Sequence, residues 1–129
     1  MDAIKYIFFD IGYTLANEDE VWRQRCIEQA ETAECKALGL TPEKIFDEIL
    51  QNANNYMPQY RTLVSKYKLA EKAPYRYEFE MLYSDAFFVL QKLSKKYKLG
   101  IIANQDHGLL ERLASFGIAE FFLHSYIVR

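Results

Sequence analysis

The chain has 129 residues, of which 50% are apolar and 26% charged, with a formal net charge of −2. That is enough for one ordinary globular domain, or for a small core carrying a lid. The charge gives no electrostatic reason to expect nucleic acid as a partner, and no apolar run reaches the ~18 residues needed to span a bilayer.

The first element is a short β-branched and aromatic run over residues 4–9, which ends at Asp10-Ile11-Gly12 as a buried strand ends in a polar loop. From Glu18 the periodicity turns helical. Trp22, Cys26, Ala30, Ala33 and Ala37 recur at spacings of three and four, and Gly39 is a natural stop. On one such helix Cys26 and Cys35 stand about 13 Å apart, beyond the reach of a disulfide, so both are expected as thiols in a cytoplasmic protein. Residues 4–15 carry Asp10 and lack the basic flank and small-residue site of a signal peptide.

Thr41-Pro42-Glu43 reads as N-cap, first-turn proline and first-turn acid of a second helix, which is expected to bury Ile45, Phe46, Ile49 and Leu50. Residues 52–58 break it, and a further helix covers about 60–69. Tyr75, Tyr77 and Tyr83 are expected to pack between helices. Ser84-Asp85 caps the next helix, with Ala86, Val89, Leu90 and Leu93 on its inner face. The lysines Lys92, Lys95, Lys96 and Lys98 crowd its end, where cations are favoured.

A second strand, residues 99–103, ends at Asn104. Residues 107–116 are helical through Leu109, Leu110 and Leu113, Gly117 stops them, and residues 125–128 form a third strand. His107 and His124 share no metal-ligand spacing and read as capping or surface residues. Strands alternating with helices imply a parallel sheet with right-handed crossovers. Residues 16–82 are too many for one crossover and are expected to form a helical lid.

In an open parallel sheet, ligands bind at the carboxyl ends of the strands. Asp10 stands at such an end, although an aspartate there can equally cap a turn. The stretch Phe9-Asp10-Ile11-Gly12-Tyr13-Thr14-Leu15 resembles Phe-Asp-x-Asp-Gly-Thr-Leu, the first motif of the haloacid-dehalogenase-like (HAD-like) hydrolases. Residues 83–93, followed by Tyr97-Lys98-Leu99-Gly100-Ile101-Ile102-Ala103-Asn104, resemble the helix and strand that lead to the second motif, and residues 108–122 the helix beyond it. The resemblance covers nearly the whole chain in order. It implies an α/β fold, a Rossmann-like three-layer parallel sheet present in part with about three strands. Residues 1–15 and 83–129 would form the core and 16–82 a helical cap.

The resemblance also implies chemistry. Asp10 would be the nucleophile of a phosphatase-type hydrolase, passing through an aspartyl-phosphate. Magnesium would be held by Asp10 and by the backbone carbonyl of Gly12, and Ala103 and Asn104 would lie at the phosphate of a small phosphorylated metabolite. Thr14 is read as structural in the loop and Trp22 as core.

The departures all weaken that chemistry. Gly12 replaces the second aspartate, a positioned proton donor whose loss costs about 10²–10⁴ in rate. Ala103 replaces a phosphate-binding Ser or Thr, at about 3 kcal/mol by analogy with an oxyanion donor. The later lysine and acidic motifs would follow the third strand. A non-catalytic binding or scaffold protein on the same fold is therefore the rival reading, with a haloacid dehalogenase third. A phospho-accepting receiver domain lacks support, because its paired acids and strand-three acceptor are not seen. Strand one would be an exposed hydrophobic edge, so a homo-oligomer or a missing carboxy-terminal segment is expected to cover it.

Overall fold

The computed structural model describes residues 5–103 and 108–127. The chain divides into two compact units, residues 1–18 with 80–129, and residues 19–79.

The first unit is an α/β layer structure. Strands β1 (Tyr6–Phe9), β4 (Lys98–Ala103) and β5 (Phe122–Ile127) form a parallel sheet in the order β1-β4-β5. The short strands β2 (Ala16–Asn17) and β3 (Met81–Leu82) pair antiparallel, a small ribbon that the sequence did not suggest. Helix α5 (Ala86–Ser94) connects into β4, and α6 (Leu109–Ser115) connects β4 to β5. Both crossovers move the same way across the sheet, and right-handed crossovers in one direction lay their helices on one face. Leu90, Leu99, Ile101, Leu113 and Ile118 meet in the resulting core, with Ile7 and Phe9 packed against it. The opposite face carries Tyr6, Phe8 and Ile102, each more than two-fifths exposed. Their shared side follows from the register, which pairs Tyr6 with Lys98 and Phe8 with Gly100. Strand one is thus half open where a strand buried on both faces was expected.

Several details of this unit differ from expectation. Asp85 is the N-cap of α5 but its side chain makes no capping hydrogen bond, and Val89 faces outward while Ala86 and Leu90 are buried. In α6, Leu110 is exposed between the buried Leu109 and Leu113. The third strand begins earlier than expected, at Phe122. Buried inside the unit, the Arg112 guanidinium donates from Nε to Glu80 Oε1 at 2.9 Å and from its second nitrogen to Glu80 Oε2.

The second unit is helical: α1 (Asp19–Glu31), α2 (Ala33–Ala37), α3 (Pro42–Asn54) and α4 (Gln59–Tyr67). The single helix expected up to Gly39 is two. Thr32 leaves helical geometry, and its hydroxyl accepts a hydrogen bond from Cys35 N at 3.3 Å, capping α2. The break rotates the stripe, so Cys35 is buried and Ala33 and Ala37 are exposed. Both cysteines are buried thiols. Thr41 caps α3 as expected, accepting from Lys44 N at 3.2 Å. Of the four apolar residues expected inside, Ile45 and Ile49 are buried, whereas Phe46 and Leu50 are 41% and 46% exposed. The two stripes are offset by one residue, about 100° around the helix, and α1 and α4 pack only on the side that carries Ile45 and Ile49.

Gln29 is the polar centre of this unit. Its amide donates to Glu71 O at 2.9 Å, and its carbonyl oxygen accepts from Ala73 N at 2.8 Å and from the Tyr60 hydroxyl. These bonds fasten the extended segment after α4 to α1. Trp22 packs here against Tyr60 and Tyr75, at ring separations of 6.4 and 6.0 Å, consistent with a core role. Tyr77 lies tilted against Tyr75, with ring centroids 4.9 Å apart, and is exposed.

Candidate functional site

Strand β1 is a β-promoting run whose backbone is committed to β4, and it stops where Asp10 begins a loop. The loop is a tight one. Ile11 is 1% exposed, and its carbonyl accepts from Thr14 N at 3.1 Å, Leu15 N at 2.9 Å and Ala16 N at 3.0 Å. Tyr13 N donates to Ala16 O at 2.8 Å, and Gly12 bridges Ala16. Leu15 and Ala16 then enter the core, and Leu15 O receives Tyr83 N at 2.9 Å. Anchored on both sides, the loop presents Asp10 to solvent. One carboxylate oxygen of Asp10 accepts from Ile11 N at 2.8 Å.

The turn requires a left-handed backbone at Tyr13, with φ 57°. That conformation costs a side chain about 1–2 kcal/mol that glycine avoids. The resembling motif has glycine at this position, so the loop keeps its shape against the residue's preference.

Ala103 ends β4, the neighbour of β1, and is buried at 4% exposure. Because β1 and β4 are parallel with Phe9 level with Ile101, Asp10 and Ala103 lie at the same edge of the sheet. Asn104 and His107 fall outside the described residues. Thr14 is exposed and serves the turn through its backbone. At the opposite edge, a cavity of about 500 Å³ is lined by Lys5, Tyr6, Lys95, Lys96, Tyr97 and Lys98. Parallel sheets bind ligands at carboxyl ends, which is Asp10's edge and not this one.

Among the described residues, no three His, Cys, Asp or Glu side chains gather as a metal site. The donors near Asp10 suit magnesium nonetheless. This hard ion takes one or two carboxylates and keeps several waters, and here an exposed carboxylate stands two residues from a loop carbonyl.

Glu18 had no assigned role in the sequence. It follows β2, and the structure brings its carboxylate against Gly12: a Cβ built on Gly12 would collide with Oε2 and stand 3.2 Å from Cδ. The hint available beforehand was an acid shortly after a motif that lacks one. Nothing linear could show that the loop folds back on itself.

No protein-family model and no curated protein matches the chain. Solved structures do. The chain is similar to YfnB from Bacillus subtilis, assigned as a HAD-hydrolase and bound to magnesium, with 18% identity and a TM-score of 0.62 over 98% of this chain and 64% of that one. It is similar to a HAD phosphatase from Thermococcus onnurineus, at 18% identity and a TM-score of 0.60 over 96% and 62%. A haloacid dehalogenase-like hydrolase from Streptococcus pneumoniae matches at 20% identity and a TM-score of 0.58, over 98% and 62%. The chain therefore spans a little under two thirds of the length of these structures. Among the described residues, no helix is long and apolar enough to cross a membrane. With a parallel β1-β4-β5 sheet, a helical insertion after the first strand and an aspartate at that strand's carboxyl end, this chain has the HAD-like fold of those solved structures.

Proposed function

We propose that this chain carries the nucleophile of a phosphatase-type hydrolase, with Asp10 forming an aspartyl-phosphate from a small phosphorylated metabolite. The supporting observation is the exposed Asp10 carboxylate at the carboxyl end of a parallel strand, oriented by the Ile11 N–H at 2.8 Å. A hydrogen bond to one oxygen restrains the carboxylate, and the other oxygen would be the attacking atom. Magnesium, held by Asp10 and the Gly12 carbonyl, would screen the repulsion between the carboxylate and the phosphate. The backbone around Ala103, with Asn104, would lie near the phosphate. The helical unit, residues 19–79 within the expected 16–82, is the cap in this reading, the part that selects the substrate.

The second reading, a binding or scaffold protein, is favoured by one specific observation. Ala103 offers a buried methyl where the phosphatase motif places a hydroxyl. Turnover of p-nitrophenyl phosphate with magnesium separates the two. In the enzyme reading Asp10→Asn abolishes it; equal rates for wild type and variant remove Asp10 from the mechanism.

A further inference from the structure

We propose that Glu18 is the proton-carrying carboxylate of this site, standing in for the acid that Gly12 lacks. The inference rests on the phosphoryl-transfer reading of Asp10. Position 12 lies two residues beyond the nucleophile, and its side chain in the resembling motif is a carboxylate. Here the Glu18 Oε2 fills the space of the missing Cβ, with Cδ 3.2 Å from it. A carboxylate at position 12 would itself reach only about two bond lengths from that Cβ, so the two acids would occupy the same region. A side chain at 12 would require the Glu18 carboxylate to move out of the space it fills.

The placement is built by the backbone. Gly12 bridges Ala16, and β2 is paired to β3 with Ala16 level with Leu82 and Asn17 with Met81. Glu18 therefore leaves a paired strand at a fixed point, half-buried.

In the first step an Asp10 oxygen forms a bond to phosphorus while the bond to the substrate's ester oxygen breaks. The electron pair stays on that oxygen, and the acid form of Glu18 protonates it, releasing an alcohol. In the second step water attacks the phosphorus and its proton passes to the Glu18 carboxylate. The Asp10–phosphorus bond breaks, freeing inorganic phosphate and restoring both carboxyl groups to their starting forms.

The test compares wild type, Glu18→Gln, Asp10→Asn and the swapped double variant Gly12→Asp/Glu18→Ala, with magnesium, on p-nitrophenyl phosphate and glycerol phosphate. Loss of a positioned acid–base group is worth about 10²–10⁴ in rate. Glu18→Gln is expected to lose that much on glycerol phosphate, whose alkoxide needs the proton. On p-nitrophenyl phosphate it should release one p-nitrophenolate per chain in a burst and then stall, with mass spectrometry finding phosphate on Asp10. The swapped variant should recover at least tenfold over Glu18→Gln, and thermal melting checks that each variant is folded. Wild-type rates in Glu18→Gln beside an inactive Asp10→Asn would overturn this inference and leave the Asp10 reading intact. A Glu18→Gln defect confined to the magnesium concentration needed for half activity would also overturn it, marking a metal ligand instead. A wild-type chain that neither turns over nor takes up phosphoryl would overturn both.

Discussion

Two buried side chains in the sheet unit illustrate how unevenly single residues bear on stability. Glu80 and Arg112 are each 7% exposed and bonded to one another through both carboxylate oxygens. Removing one partner leaves a charge without its counter-charge away from water, which costs about 3–5 kcal/mol. Glu80→Gln should lower the urea unfolding midpoint accordingly, whereas replacing both residues by apolar ones of similar size should recover much of the loss. Cys26 bears on pH dependence. Burial pushes its thiol from 9.0 up to about 11. The folded chain therefore holds a proton that the unfolded chain releases between those values, so this thiol's contribution is complete below pH 9 and lost as pH rises to 11. Unfolding free energy measured over pH 8–11 should decline more steeply in wild type than in Cys26→Ala; parallel curves would remove the thiol as the cause.

At the level of elements, α3 separates pattern from packing. Its two apolar stripes look equivalent in the sequence, but Ile49 is 4% exposed and Leu50 46%. Ile49→Ala should cost about 2–5 kcal/mol, and Leu50→Ala should stay within about 0.5 kcal/mol, both read from urea unfolding. Thr32 is the punctuation between α1 and α2. Thr32→Ala removes the acceptor of the Cys35 N–H and should cost about 1 kcal/mol. A smaller change than in a surface control would mean that the buried Cys35, and not the cap, holds α2 in place.

For the molecule as a whole, the consequential feature is the open face of the sheet. Tyr6, Phe8 and Ile102 are exposed together, and among the described residues no strand pairs with the outer edge of β1. Apolar strand edges of this kind recruit a partner. Size-exclusion chromatography with light scattering should find the 129-residue chain self-associated, and Phe8→Lys should shift it toward monomer. A monodisperse wild-type monomer would count against that expectation.

What was legible in the sequence is what local physics controls. Alternating strands and helices, the caps at Thr41 and Gly117, and an aspartate ending an apolar strand are short-range signals. They sufficed for the α/β class and the position of Asp10. The break at Thr32 was hidden because alanines on both sides keep the helical spacing that the hydroxyl interrupts. Which of two apolar stripes is buried, and why Ala33 is exposed while Cys35 is not, depended on neighbours distant in the chain. The same holds for Glu18. Its meeting with Gly12 is produced by a loop bent back onto β2, and β2 exists only because Met81 and Leu82 return to pair with it. Long-range pairing placed that carboxylate, and no periodicity along the chain encodes it.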